Sequence, residues 1–218
     1  SEPELRDLPV TVVGLGIEGI DLVRYLSSQG ARVTASDSRS AEELREALDA
    51  IADCDATLSL GANRAEDLTS AETVYVSQGV PLNLPALEAA RAASVPLSSM
   101  TRLFFERCPA PVAGITGSSG KTTTTALVGA MLDAAEVDHV TGGNIGIGLL
   151  GLLKDIDAET RVVVELSHTQ LETLDVSPPL ACVTNVTPNH LDHYSWEQYV
   201  ALKRRVFQFQ RADDLTII

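Results

Sequence analysis

Basic residues are scarce in this chain: sixteen Lys and Arg stand against thirty Asp and Glu among 218 residues, a formal net charge of −14 at pH 7. A surface of that sign repels a phosphodiester backbone and has no Lys/Arg stripe to compensate, which argues against nucleic acid as a partner. Isolated phosphates remain accessible ligands, because helix N-termini, one or two cations and Mg²⁺ act locally. Cysteine is scarce as well. Cys54, Cys108 and Cys182 are odd in number and widely spaced, which argues against a disulfide framework or a metal cage and predicts buried free thiols. No apolar run is long enough to span a bilayer, and the acidic opening Ser1-Glu-Pro-Glu lacks the basic and apolar regions of a signal peptide. The expected setting is the cytoplasm, without membrane insertion. Internal repeats and low-complexity segments are missing too.

What remains is the composition of an ordinary globular protein, 44% hydrophobic and 21% charged, with a length that suggests two domains. The apolar run Val10 to Leu15 ends in Gly14-Leu-Gly16-Ile-Glu-Gly19, Ile20, Val23 and Leu26 follow at helical spacing, and a strand from Ala31 to Ser36 delivers Asp37. This is the strand–GxGxxG–helix–strand–acid layout of a dinucleotide-binding unit: Gly14 permits the turn, Gly16 lets a pyrophosphate approach, and Gly19 lets helix and sheet close up. The bland alternative is a plain α/β turn whose glycines serve packing. A charged helix near 41–52, strands near 57–60 and 74–76, a turn at Ser77-Gln-Gly-Val-Pro81, a helix over 84–93 and a strand near 96–98 continue the pattern. The stretch from Met100 to Pro111 is less periodic and carries Pro109 and Pro111, which puts the junction there. The expected domains are 1–99 and 100–218.

The second domain opens on Ala113-Gly-Ile-Thr-Gly-Ser-Ser-Gly-Lys-Thr-Thr-Thr-Thr125, an apolar strand, a Gly/Ser turn, a lysine and a helix start. Backbone N–H groups of a Cβ-free turn and a helix N-terminus together form a phosphate cradle. Lys121 supplies charge for the outer phosphates, and Thr122 a hydroxyl for phosphate-bound Mg²⁺. The strict P-loop pattern has glycine where Ile115 stands, so the match is a variant, and a plain strand–turn–helix connection is the alternative. The following helix is expected to pack Leu127, Met131 and Ala134 on one face.

Further along, Thr141-Gly-Gly-Asn-Ile-Gly146 is a flexible turn able to bring Asn144 to a ligand. Arg161-Val-Val-Val-Glu-Leu-Ser167 reads as a buried strand ending in a carboxylate, where a parallel sheet sets Glu165 beside Thr122 and a nucleotide-bound metal. A solvated strand-end glutamate is the alternative. Leu180 to Asn185 is another strand. His190 and His193 follow it three apart, yet no further ligands at zinc spacing accompany them. One histidine assisting Mg²⁺ and one surface residue is the preferred reading, while His139 and His168 default to structural roles. A charged helix from Trp196 to Arg211 carries Lys203 on one face with Tyr199 and Val206, and spacing alone leaves that lysine a solvated charge. The chain stops at Leu215-Thr-Ile-Ile218, in what reads as a strand.

Taken together, the Gly-Ile-Thr-Gly-Ser-Ser-Gly-Lys-Thr-Thr run, the Gly-Gly-Asn-Ile-Gly turn, Glu165-Leu-Ser-His-Thr-Gln-Leu-Glu172, Thr184-Asn-Val-Thr-Pro-Asn-His-Leu-Asp192 and the Lys203 helix resemble the central domain of the Mur ligases. The resemblance spans nearly the whole chain, in the family's order. It implies an α/β protein: a Rossmann-like N-terminal domain that binds a UDP-linked substrate, followed by a P-loop-type ATP-binding central domain with a mostly parallel sheet. It implies an ATP- and Mg²⁺-dependent amide ligase of peptidoglycan assembly that works through an acyl phosphate. The Gly14 to Gly19 opening, Ser77 to Pro81 and Gln170-Leu-Glu172 are most similar to members that join D-glutamate to UDP-N-acetylmuramoyl-L-alanine, and a monomer is expected.

Carried over by position, the resemblance assigns Gly117, Ser118, Ser119, Gly120, Lys121, Thr122 and Thr123 to ATP. It assigns Thr122, Glu165, His190 and a carbamate on Lys203 to metal, with Lys121, His190 and Lys203 the catalytic set. Asn144, Ser167 and Gln170 would contact the muramoyl substrate, and Ile17, Glu18, Asp37 and Ser38 the uridine nucleotide. His168 and Thr169 depart from the family's usual Ser-Phe, and the family's third domain is not found before Ile218. Alternatives are a Mur ligase for another amino acid, a nicotinamide-dependent oxidoreductase using Gly14 to Asp37, and a non-catalytic nucleotide sensor.

Overall fold

The computed structural model describes residues 5–143, 148–190 and 192–218. The chain divides into two compact units, Ser1–Met100 and Thr101–Ile218.

In the first unit, β1 (Pro9–Val13), α1 (Ile17–Ser28), β2 (Arg32–Asp37), α2 (Arg45–Ala50), β3 (Ala56–Leu60), α3 (Ala65–Thr69), β4 (Thr73–Val76), α4 (Pro85–Ala92) and β5 (Leu97–Ser98) alternate along the chain. The strands pair in parallel in the order β3-β2-β1-β4-β5. From β1 the chain first winds outward through β2 and β3, then returns to place β4 on the other side. The loops after β1 and β4 therefore part at the carboxyl edge, where open α/β sheets leave a crevice. Val13, Leu68, Val74, Val76, Leu87 and Ala90 close the core on the α3/α4 side.

The second unit contains α5 (Met100–Arg107), β6 (Val112–Thr116), α6 (Lys121–Ala134), β7 (His139–Gly142), a 3₁₀ helix (Leu150–Asp155), β8 (Arg161–Glu165), α7 (His168–Glu172), β9 (Leu180–Val183), α8 (Trp196–Gln208) and β10 (Leu215–Ile217). Its sheet is again parallel, in the order β10-β9-β6-β8-β7. β6 is central, with β8 and β9 on its two sides, so whatever follows β6, β8 and β9 meets at one edge. The register pairs Ile115 with both Glu165 and Cys182, and Thr116 with Val183.

Four local expectations are corrected here. The stretch after Met100 is a helix, not an aperiodic linker: Met100, Leu103 and Phe104 form a buried i, i+3, i+4 stripe, and Pro109 and Pro111 lie beyond its end. The charged helix near 41–52 shrinks to Arg45–Ala50. The three cysteines are free but only half-buried; burial raises each thiol above its ordinary value. On α6, Leu127 and Met131 are 60% and 70% exposed, and the residues turned to the interior are Thr125 and Gly129. The reason is close approach. A Cβ at Gly129 would lie 3.0 Å from Thr141 Cγ2 on β7, so a small residue, not a large apolar one, sets the distance of this helix from the sheet.

Candidate functional site

The carboxyl edge of the second sheet holds the most concentrated set of functional groups. β6 ends at Thr116, and Gly117 is squeezed against the residues after β9: a Cβ there would sit 2.0 Å from Thr184 Oγ1 and 3.1 Å from the Asn185 carbonyl. Gly117 also has φ +156°, whereas Gly120 serves conformation alone. It has φ +80° at the N-cap of α6, and a Cβ there would meet open space, its nearest neighbour 4.0 Å away. The loop between these glycines is pinned to the β9 edge on both its groups. Ser118 N–H donates to Asn185 O (2.9 Å), and Ser119 N–H to Asn185 Oδ1 (3.1 Å). The Ser119 carbonyl accepts from Thr184 Oγ1 (2.7 Å) and Asn185 Nδ2 (3.0 Å). Ser118 Oγ donates to Thr187 O and accepts from Thr187 N–H, both 2.9 Å. Thr184 and Asn185 thus shape the cradle, a role that spacing around the lysine does not reveal; the available signal is a Thr-Asn pair at the end of a strand neighbouring the loop strand.

Lys121 opens α6, and one residue later Thr122 Oγ1 donates to Glu165 Oε2 at 2.8 Å. Glu165 ends β8 and is 1% exposed. It is therefore a buried carboxylate directed at the helix start, not a solvated strand end. A hydroxyl and a carboxylate in contact behind the Gly117–Gly120 loop are hard oxygen donors of the kind Mg²⁺ selects, so the residues fit that ion. Thr123 is exposed at the next position.

Lys203 is the largest departure from what spacing alone implies. It projects from α8 with Tyr199 and Val206 on the buried face, and it is 2% exposed. Its Nζ donates to Thr116 Oγ1 (3.2 Å), which in turn donates to Leu166 O (2.7 Å), and it lies 5.4 Å from the Tyr199 ring centre. Burial, with a smaller push from Lys121, lowers its pKa to about 8, against an opposing pull from Glu165. An amine in that state has a substantial neutral fraction near pH 8, which is what a nucleophilic lysine requires.

His190 has φ +54° and follows the β9 loop; its ring stacks on His168 with centroids 4.1 Å apart. The structural default for His168 is thereby corrected, since its ring stands beside this site. Its pKa is lowered to about 4, by burial first and then by His190, Lys203, Lys121 and His193, so its ring is neutral at pH 7. His193 is an exposed surface residue 3.0 Å from Asp192. Among the described residues no group of three His, Cys, Asp or Glu side chains could hold a metal, and the two histidines do not make a zinc cage there. Ser167 and Gln170, expected at the substrate, cap α7 through a reciprocal pair: Gln170 N–H to Ser167 Oγ (3.1 Å) and Ser167 N–H to Gln170 Oε1 (2.9 Å). Asn144 lies outside the described residues.

In the first unit, Gly14, Gly16, Asp37, Ser38, Ser77 and Gln78 are among the residues lining a cleft of about 380 Å³ at the carboxyl edge. Gly14 has φ +89°, and a Cβ on Gly19 would lie 1.9 Å from the Gly14 carbonyl, so α1 closes directly on the turn. Asp37 is buried and fully engaged: Oδ2 accepts from Leu15 N–H (2.7 Å) and Arg39 Nη2 (2.8 Å), and Oδ1 from Arg39 N–H (2.9 Å) and Nε (3.0 Å). Burial would raise its pKa, but the Arg39 guanidinium and the two N–H groups outweigh that and lower it. Arg39, which no motif in the sequence singles out, is the cation of this cleft. Ser38 and Ile17 are exposed, whereas Glu18 is buried with its carboxylate accepting from Gln78 N–H (2.9 Å), tying α1 to the loop after β4.

Comparison with known proteins follows the same division. Residues 9–99 match the Mur ligase MurD-like N-terminal domain, and residues 115–218 the Mur ligase middle domain. Proteins named UDP-N-acetylmuramoylalanine--D-glutamate ligase are similar across the chain. The one from Symbiobacterium thermophilum is 43% identical over 95% of this chain and 46% of its own length. That from Clostridium perfringens is 40% identical, over 96% and 46%. The chain thus spans about half the length of the curated relatives it matches. Two solved structures share the fold. UDP-N-acetylmuramate:L-alanyl-gamma-D-glutamyl-meso-diaminopimelate ligase from Neisseria has a TM-score of 0.61 at 16% identity, over 96% of this chain and 70% of that one. UDP-N-acetylmuramate-alanine ligase from Thermotoga maritima has 0.56 at 22%, over 96% and 48%.

Proposed function

This chain belongs to the Mur ligase family, and on that premise we propose that the whole protein is an ATP-dependent ligase joining D-glutamate to UDP-N-acetylmuramoyl-L-alanine. The observation that carries the reading is the 2.8 Å contact between Thr122 and buried Glu165, directly behind Lys121 and the pinned phosphate loop. The nicotinamide reading of Gly14 to Asp37 is set aside, because that layout falls within the MurD-like N-terminal match.

In the proposed reaction the substrate carboxylate attacks the γ-phosphorus of ATP, forming an acyl phosphate and releasing ADP. The D-glutamate amine then attacks the acyl carbon and phosphate leaves. Neutralising charge on the transferred phosphoryl matters more than any protein nucleophile. The N–H groups of Gly120, Lys121 and Thr122 at the start of α6 face the phosphates, and Lys121 adds a full charge at the outer oxygens. Thr122 and Glu165 would hold Mg²⁺, which would supply positive charge to offset that of the phosphates. Lys203, buried and with its pKa near 8, is suited to add CO₂ as a carbamate and so replace a cation by an anion facing the same site, with His190 orienting a second ion. The cleft between Gly14, Asp37 and Ser77 would take the UDP group, Arg39 offering the positive charge. On this reading the protein works as a cytoplasmic monomer.

The test is phosphate release by the whole protein given ATP, Mg²⁺ and UDP-N-acetylmuramoyl-L-alanine with each candidate amino acid. D-glutamate should be required. Release with a different amino acid would move the protein to another branch of the family, and none with any would defeat the proposal. A second expectation follows from the loop. Asn185→Ala removes both the acceptor of Ser119 N–H and the donor to Ser119 O, and should weaken ATP binding about tenfold, the worth of one to two such hydrogen bonds. Calorimetric titration with a non-hydrolysable ATP analogue measures it; unchanged affinity would mean the loop keeps its shape without the pin.

A further inference from the structure

We propose that His168 is a positioning residue for this reaction: its imidazole is the platform that holds the His190 ring in one orientation at the phosphate site. The inference rests on the reading of His190 as a metal-orienting group.

His190 is placed with some difficulty. Its backbone lies at φ +54°, a conformation that residues with a Cβ adopt rarely. Local hydrogen bonds fix that backbone: Asn189 Oδ1 accepts from His190 N–H (2.9 Å), and the His190 carbonyl accepts from His193 (3.0 Å) and Tyr194 (3.1 Å) N–H groups. None of these bonds fixes the ring. The ring is set by its neighbours. His168 lies 4.1 Å away at an interplanar angle of 31°, a close tilted contact, and Tyr199 borders the pair at 6.1 Å from His190 and 6.3 Å from His168. Tyr194 meets His168 edge-on, 5.8 Å away at 82°. The edge-on contact is a favoured arrangement of aromatic pairs, and the closer tilted one leaves the His190 ring in direct contact with its neighbour.

The platform itself is rigid. His168 is the first residue of α7, immediately after the Ser167 N-cap, whose reciprocal bonds with Gln170 lock the helix start. Tyr199 is anchored too, on the buried face of α8, with its hydroxyl donating to Ser118 Oγ of the phosphate loop (3.2 Å). A serine at 168 could not supply such a surface. The two histidines lack a third ligand among the described residues, so a metal cage of their own does not explain the pairing. A ring platform does.

The experiment uses the whole protein with His168→Phe, which keeps a ring, and His168→Leu, which keeps bulk without one; His168→Ser removes both. The first readout is the His190 ring-proton resonance, assigned through a His190→Gln variant. An overlying ring should displace it upfield in the wild type and His168→Phe, with the displacement lost in His168→Leu and His168→Ser. The second is the Mg²⁺ concentration for half-maximal phosphate release, raised roughly fivefold by Leu and Ser, within about twofold of wild type for Phe, and with KM for ATP unchanged. A His190 resonance identical in wild type and His168→Leu would overturn the proposal, as would a Phe variant as impaired as the Leu variant. If the wild type releases no phosphate, the ligase reading fails and the resonance still decides the platform.

Discussion

Gly117→Ala should abolish nucleotide binding and destabilise the second unit, while Gly120→Ala, three residues away, should cost far less. Both glycines have a positive φ, +156° at Gly117 and +80° at Gly120, but only Gly117 is also short of space. A Cβ there would fall 2.0 Å from Thr184 Oγ1 and 3.1 to 3.2 Å from the backbone of Asn185. Thr184 cannot simply rotate away, because its hydroxyl donates to Ser119 O at 2.7 Å and Thr116 O at 3.3 Å. Either those bonds break or β6 and β9 separate at the edge where the cradle is built. Overpacking of this kind costs about 1–3 kcal/mol, and the lost bonds add about 1 kcal/mol each. At Gly120 the space is open and only the left-handed φ of +80° opposes alanine, worth about 1–2 kcal/mol. Urea denaturation of both variants gives the ordering, and ATP-analogue titration gives the functional loss. Adding Thr184→Ala should recover part of the Gly117→Ala defect, a coupling that the Gly120 variant lacks. Equal effects of the two substitutions would mean that the β9 edge yields easily.

The same contrast between local offset and packing separates what is legible in the sequence from what is not. Parallel α/β architecture is legible because each strand is a short apolar run bounded by turn residues, and Gly14 to Gly19 and Gly117 to Thr122 carry their chemistry as fixed local offsets. The contact of Thr122 with Glu165 can be anticipated for the same reason, as adjacent parallel strands place their carboxyl ends side by side. What stays hidden depends on packing that offsets do not encode. Leu127 and Met131 suggest the inward face of α6, whereas Thr125 and Gly129 face the sheet, because hydrophobic periodicity assumes that large apolar residues mark the interior. Helix α5 is masked although Met100, Leu103 and Phe104 have the right spacing, since the prolines just after it carry the signature of a linker. His168, Thr184 and Asn185 act across the sheet edge, on residues 22, 65 and 66 positions away in sequence, and apart from the Thr-Asn pair at a strand end nothing local marks them. Lys203 is the sharpest case. From its own helix it is one more charge, and only its burial under β6 distinguishes it.

Lys203→Met should therefore do two opposite things: raise the stability of the protein at pH 7 and remove the proposed ligase activity. The amine is buried and donates to neutral Thr116 Oγ1, with Tyr199 facing it and Glu165 close enough to pull its pKa upward. Burial and Lys121 outweigh that pull, so the folded pKa, about 8, lies below the ordinary 10.5. The sign follows. Between these two values the unfolded chain binds more protons than the folded one, so wild-type stability rises with pH from about 8 to 10.5. Below pH 8 both states are protonated and the folded protein bears the full cost of the buried charge. Methionine keeps the stem and drops the charge, and replacing buried charge by apolar volume gains about 1–4 kcal/mol in comparable sites. Urea midpoints at pH 7 should therefore favour the methionine variant, and the gap should close as pH rises towards 10.5. Phosphate release should fall a hundredfold or more, about the effect of deleting one preorganised electrostatic group. With ¹³C-bicarbonate, a carbamate resonance should be present in wild type and missing from the variant. A methionine variant less stable than wild type at pH 7, or one that turns over normally, would mean that this lysine is held for packing and not for the chemistry at the carboxyl edge of β6.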